Sequence, residues 1–120
     1  MARILVVDDS ASMRQMVAFT LKGAGHEVVE KNDGVEALTS AKTESFDLVI
    51  TDVNMPNMDG ITLTKELRSL SNYRFTPILT LTTESSAEKK MAGKQAGATG
   101  WLVKPFNPNQ LLATAKKVLG

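Results

Sequence analysis

Four short apolar runs in this chain each lead into a residue that could do chemistry. Ile4-Leu5-Val6-Val7 runs into Asp8-Asp9, and Leu48-Val49-Ile50 into Thr51-Asp52. Ile78-Leu79-Thr80-Leu81 runs into Thr82, and Trp101-Leu102-Val103 into Lys104-Pro105. Each site residue alone has a plain structural reading. Asp9 or Ser10 caps a helix, Asp52 bonds the backbone of a turn, Thr82 is an ordinary strand residue and Lys104 a solvated cation. Together they read differently. If the runs are parallel strands of one sheet, their carboxyl ends emerge at one edge, where open α/β sheets bind ligands. Three carboxylates brought within a few ångströms repel one another unless a cation neutralises them. All-oxygen ligands select a hard ion, and so few protein ligands, with water completing an octahedron, suit Mg²⁺. Such a site beside Lys104 and Thr82 is suited to phosphoryl transfer. The Asp52 carboxylate attacks phosphorus to give an aspartyl phosphate, while metal, ammonium and hydroxyl stabilise the equatorial oxygens.

The elements between the runs must bring these residues together. Met13, Met16, Val17, Thr20, Leu21 and Ala24 recur at helical spacing, and Gly25 closes that helix. Glu27 to Glu30 is a short, more polar strand suited to a sheet edge. A helix from about Val35 carries Leu38 and Ala41 inward, and Leu63, Leu67 and Leu70 mark a third helix after Gly60. Pro77 is confined to the first residue of its strand. Ser85 and Glu88 form a capping pair for a fourth helix that runs to Ala96, with Ala87, Met91 and a few alanines inward. That helix has the weakest inward face and is the element expected to move. Asn107-Pro108 starts the last helix, lined by Leu111, Leu112, Ala115, Val118 and Leu119. Five strands alternating with five helices predict an α/β fold, a parallel sheet with helices on both faces.

Composition narrows the function. At 120 residues the chain is expected to be one domain, residues 1–120, with a core that needs no staple. It has no Cys, which removes disulfides and thiol chemistry and fits a reducing compartment. No apolar run approaches the roughly 18 residues of a membrane span, and Met1-Ala2-Arg3 leads straight into a strand rather than a signal peptide. A formal net charge of +1 supplies no field to recruit nucleic acid or an anionic membrane.

The set Asp8-Asp9, Asp52 within DVNMPNMDG, Thr82 and Lys104-Pro105-Phe106 resembles the receiver domain of two-component response regulators. The resemblance covers the whole chain. Through DDSASMRQMV, NMPNMDG and KPF it is most similar to the single-domain chemotaxis regulators of that family. It implies a flavodoxin-like sheet in the order 2-1-3-4-5. It further implies that Asp52 accepts a phosphoryl group from a histidine kinase, and that Asp9, Asp52 and the Asn54 carbonyl ligate Mg²⁺ directly. Asp8 would hold a metal-bound water, Lys104 would pair with the phosphoryl group and Thr82 would hydrogen-bond it. The family's cis bond falls at Lys104-Pro105, and its mobile ring at Trp101, where Tyr or Phe is usual. Partners would dock on the face of the fourth helix, fifth strand and last helix: a flagellar motor switch protein and a phosphatase. The implied molecule is a cytoplasmic monomer that is not an enzyme.

Some residues depart from the pattern. Val53 stands where some relatives carry a ring, which implies a roomier site mouth, and Thr83 where a small residue is common, which implies narrower access to Asp52. His26 reads as a turn residue, and Met13, Met16, Met55, Met58 and Met91 as soft packing. A haloacid-dehalogenase-like phosphatase uses a similar set of groups and is the alternative. Those enzymes carry a second acid two residues after the nucleophile, where this chain has Asn54. Within the family, a phosphorelay shuttle or a kinase regulator outside chemotaxis also stays open.

Overall fold

The computed structural model describes residues 1–83 and 87–120, apart from the side chain of Lys89. Five strands form one parallel sheet: β1 (Arg3–Val7), β2 (Glu27–Lys31), β3 (Leu48–Asp52), β4 (Ile78–Thr82) and β5 (Gly100–Val103). Their order is β2-β1-β3-β4-β5. The helices are α1 (Ala11–Gly23), α2 (Gly34–Thr43), α3 (Gly60–Arg68), α4 (Ala87–Ala96) and α5 (Pro108–Leu119), with a 3-10 turn at Ser71–Tyr73. Three of the four apolar runs, in β1, β3 and β4, are buried on both faces, as a covered parallel sheet requires, while the fourth lies in the edge strand β5. Polar β2 takes an edge.

Alternation along the strands divides the core in two. Ile4, Val6, Leu48, Ile50, Leu79, Leu81 and Leu102 pack with Val17 and Leu21 of α1 and Leu111 and Ala115 of α5. Leu5, Val7, Val49 and Ile78 pack with Ala37 and Ala41 of α2 and Leu63 and Leu67 of α3. Local chemistry starts the helices. Ser10, Asp33, Asp59 and Asn107 each accept a backbone N–H from three residues on, and Gln110 completes a capping box with Asn107. Gly25 follows α1 at φ +91°, a conformation that suits glycine. Gly60 begins α3 so close to β3 that a Cβ there would collide with the Asp52 carbonyl.

Three expectations about packing need correction. In α4, Ala87 and Met91 are exposed, and among the described residues the buried ones are Gly93 and Ala96, the latter one of the alanines expected inward. Gly93 faces Ile61 and Thr80, and a Cβ there would rest in ordinary contact at 3.7–3.8 Å, so the inward face is made of small residues without space demanding glycine. Ala24 is exposed because it is the C-cap of α1, and Ala18 is buried in its stead. Val53 is itself buried, so its side chain does not shape an open mouth. The capping pair expected at Ser85 and Glu88 lies outside the described residues.

Candidate functional site

Asp8, Asp52 and Lys104 continue the alternation of Ile4-Val6, Leu48-Ile50 and Leu102 by one step beyond the core. They therefore leave the sheet at its carboxyl edge on the α1/α5 side. Asp8, Asp9 and Asp52 can each offer an oxygen such that all three lie within 4.8 Å of one another. Asp8 is fully buried, Asp52 is 9% exposed, and Asp9 opens to solvent. The Lys104 Nζ lies 3.3 Å from Asp8 Oδ2 and 3.3 Å from Asp52 Oδ1. Backbone donors fix the carboxylates further. Val53 N–H donates to Asp52 Oδ1 at 2.9 Å, and Ser10 N–H to Asp8 Oδ1 at 2.9 Å. Ser10 also takes the capping role at α1, which leaves Asp9 to the cluster.

Burial pushes the Asp52 carboxyl above its ordinary range, and the Asp8 charge pushes the same way. The Lys104 ammonium and the Val53 N–H oppose this by favouring the anion. One ammonium cannot neutralise three carboxylates. A further cation is the natural complement, and a donor set made only of oxygen fits a hard divalent ion such as Mg²⁺.

The other expected site residues surround this cluster. Thr82 ends β4, buried, one residue past Leu81, the register partner of Asp52. Its carbonyl accepts the Lys104 N–H at 2.7 Å. The Lys104-Pro105 peptide bond is cis. Asn54 is exposed, two residues beyond Asp52, and Thr83 is exposed beside Thr82. Trp101 is not part of the cluster. It pairs in register with Thr80, as Val103 does with Thr82, so Trp101 and Thr82 share one face of the sheet. Its ring is 42% exposed, with Lys90 Nζ 5.2 Å from the ring centroid. A depression of about 390 Å³ beside it is lined by Trp101, Val103, Phe106, Gln110 and Thr114, among others. His26 lies at the other end of the sheet and accepts the Ala2 N–H at its Nδ1, a structural role in the β1–β2 region.

Sequence reasoning missed Arg14. Its Nη1 donates to the Asp8 carbonyl at 2.9 Å and to Asn32 Oδ1 at 2.7 Å, while its Nε lies 3.3 Å from Glu30 Oε1. The available signal was its position four residues after the Ser10 cap. A long side chain there leans back over the first turn, towards the residues before the helix.

The sequence matches the family described as the response regulator receiver domain over residues 4–116. This chain belongs to that family. It is 40% identical over 120 residues to a chemotaxis protein CheY homolog of Campylobacter jejuni, covering 98% of this chain and 92% of that one. It is 39% identical over 117 residues to the alkaline phosphatase synthesis transcriptional regulatory protein PhoP of Bacillus subtilis, and there spans 48% of the relative's length. Among solved structures, chemotaxis protein CheY4 of Vibrio cholerae superposes with a TM-score of 0.95 at 58% identity, covering 98% of each chain. The receiver domain of sensor histidine kinase PA1611 from Pseudomonas aeruginosa, with a magnesium ion coordinated in its active-site cleft, gives 0.93 at 29% identity, covering 99% of this chain and 98% of that one.

Proposed function

We propose that this chain is a phosphorylation-activated signalling switch in which Asp52 is the phosphoryl acceptor. The observation that carries the reading is Lys104 Nζ held 3.3 Å from both Asp8 and Asp52 inside a three-carboxylate cluster. Asp9, Asp52 and the Asn54 carbonyl would hold Mg²⁺, with Asp8 bonding a metal-bound water. The ion, when bound, supplies positive charge against the phosphoryl oxygens and lets the carboxylates approach an anionic donor. The magnesium-bearing neighbour supports this assignment. Asp52 is anchored by the Val53 N–H through Oδ1, which leaves Oδ2 to attack phosphorus. The P–N bond of a kinase phosphohistidine breaks, its electron pair stays on that ring nitrogen, and the imidazole, protonated on its other nitrogen, leaves neutral. Lys104 then exchanges a carboxylate partner for a phosphoryl oxygen, and the Thr82 hydroxyl donates to another.

The CheY relatives support an output in chemotaxis, with a histidine kinase as donor and a flagellar motor switch protein and a phosphatase as partners of the α4–β5–α5 face. We infer a cytoplasmic monomer, residues 1–120 acting as one domain and not as an enzyme. The competing phosphatase reading is distinguished by stoichiometry. Incubation with acetyl phosphate and Mg²⁺ should give one acyl phosphate per chain that decays slowly. Sustained release of inorganic phosphate from many small esters would contradict the switch.

A further inference from the structure

Arg14 touches none of the positions where a metal or phosphoryl group would sit, yet three acceptors converge on its guanidinium. The Asp8 carbonyl it binds belongs to the peptide that joins Asp8 to Asp9. Rotation of that peptide would swing the two acids together. A planar guanidinium bonded at three places resists such rotation, because its donors have a fixed fork geometry. The Arg14 side chain is 15% exposed, so its bond to the Asp8 carbonyl is partly shielded from water, while its bond to Asn32 lies at the exposed rim.

The same guanidinium reaches the loop after β2 through Asn32. The next residue, Asp33, caps α2 and accepts the Asn57 amide at 2.8 Å. Asn57 belongs to the β3–α3 loop, at φ +69°, three residues after Asn54. A hydrogen-bonded belt thus runs from the Asp8-Asp9 peptide through Arg14, Asn32-Asp33 and Asn57. It ties together loops from β1, β2 and β3, two of which supply the metal ligands.

We propose that Arg14 is a positioning residue for the Mg²⁺ ligands, acting through the Asp8-Asp9 peptide and the Asn32 loop. The proposal rests on the reading of Asp8, Asp9, Asp52 and Asn54 as a Mg²⁺ site. Arg14 also pairs with Glu30, and a mere staple of α1 to β2 would cost stability without changing metal affinity. Electrostatics gives a sharper distinction. Removing a cation beside a cation site should, by Coulomb's law alone, tighten Mg²⁺ binding. Loss of ligand orientation should weaken it, by about 10-fold or more where outer-shell partners of a metal site are removed.

The test is calorimetric titration of Mg²⁺ into wild type, Arg14→Met, Arg14→Lys and Asn32→Ala, with metal-free melts of each. Arg14→Met should bind about 10-fold more weakly. Arg14→Lys should stay weakened, since one ammonium cannot reproduce the fork. Asn32→Ala, which alters no charge, should shift in the same direction, and it carries the test if Arg14→Met does not fold. Unchanged or tighter binding in Arg14→Met, or in Asn32→Ala if it stands alone, would overturn the proposal. Wild-type affinity in Arg14→Lys would overturn the role of the fork. Absence of binding in wild type would overturn the site reading itself and this proposal with it.

Discussion

Asp8 and Asp52 share one ammonium, and that sharing sets how much negative charge the metal-free site tolerates. Lys104 holds the two buried acids at equal distance, while Asp9, the exposed member, is closest to solvent. Like charges this close raise the cost of keeping all three ionised. Binding of an ion to the folded state alone then stabilises by mass action. Asp9→Ala should therefore shrink the rise in melting temperature that Mg²⁺ produces, and leave the metal-free melting temperature equal or higher. Equal Mg²⁺ shifts in both proteins would show that Asp9 is no ligand. The four charged residues of the cluster were legible in the sequence because each terminates an apolar run. Arg14 was not, because its partner is a backbone carbonyl brought near by the path of α1. Met91, read as packing, is 53% exposed, since nothing in its spacing distinguishes it from the small residues that face inward.

Elements carry the site by their ends. Asp33 shows how one side chain serves two of them, capping α2 through Glu36 N–H and holding Asn57 of the β3–α3 loop. The Glu36 N–H and then the Asn57 amide hold its carboxyl below the ordinary range. An acid whose folded pKa is depressed stabilises the fold when ionised. That stabilisation is present above the unfolded value, about 3.9, and is lost as pH falls through the folded value. Asp33→Ala should cost about 1–2 kcal/mol at pH 7 in urea unfolding, the range of a lost N-cap. The gap to wild type should narrow below about pH 4, where Asp33 begins to protonate in the unfolded chain. A gap that stays constant to low pH would contradict the assignment. Caps and strand runs are local signals and could be read directly. The position of Gly93 on the α4 face could not, because its neighbours Ile61 of α3 and Thr80 of β4 come together only in the assembled fold.

For the whole molecule, the order β2-β1-β3-β4-β5 puts the acids at one edge and Trp101 on a flank, with Thr82 between them in the chain of contacts proposed. Strand alternation made the parallel sheet legible, and the family resemblance supplied its order. The outward indole with Lys90 over it was not legible, because a cation–π contact between α4 and β5 depends on their docking. Such a contact at an exposed site is worth about 0.5–1 kcal/mol, and a phosphoryl group would have to offset it to draw the ring inward as the proposed switch requires. Beryllofluoride with Mg²⁺ stands in for the phosphoryl group. It should change the emission of Trp101, the single tryptophan, and the change should vanish in Asp52→Asn and in Thr82→Ala. A full response in Thr82→Ala would contradict coupling through that hydroxyl.

The proposed signalling role depends on one covalent bond forming at one residue. The most direct measurement is to phosphorylate the chain with acetyl phosphate, reduce the acyl phosphate with borohydride, and map the residue converted to homoserine. Conversion should fall on Asp52 alone, require Mg²⁺, and be absent from Asp52→Asn. Conversion at Asp8 or Asp9 in wild type, or undiminished conversion in Asp52→Asn, would contradict the account.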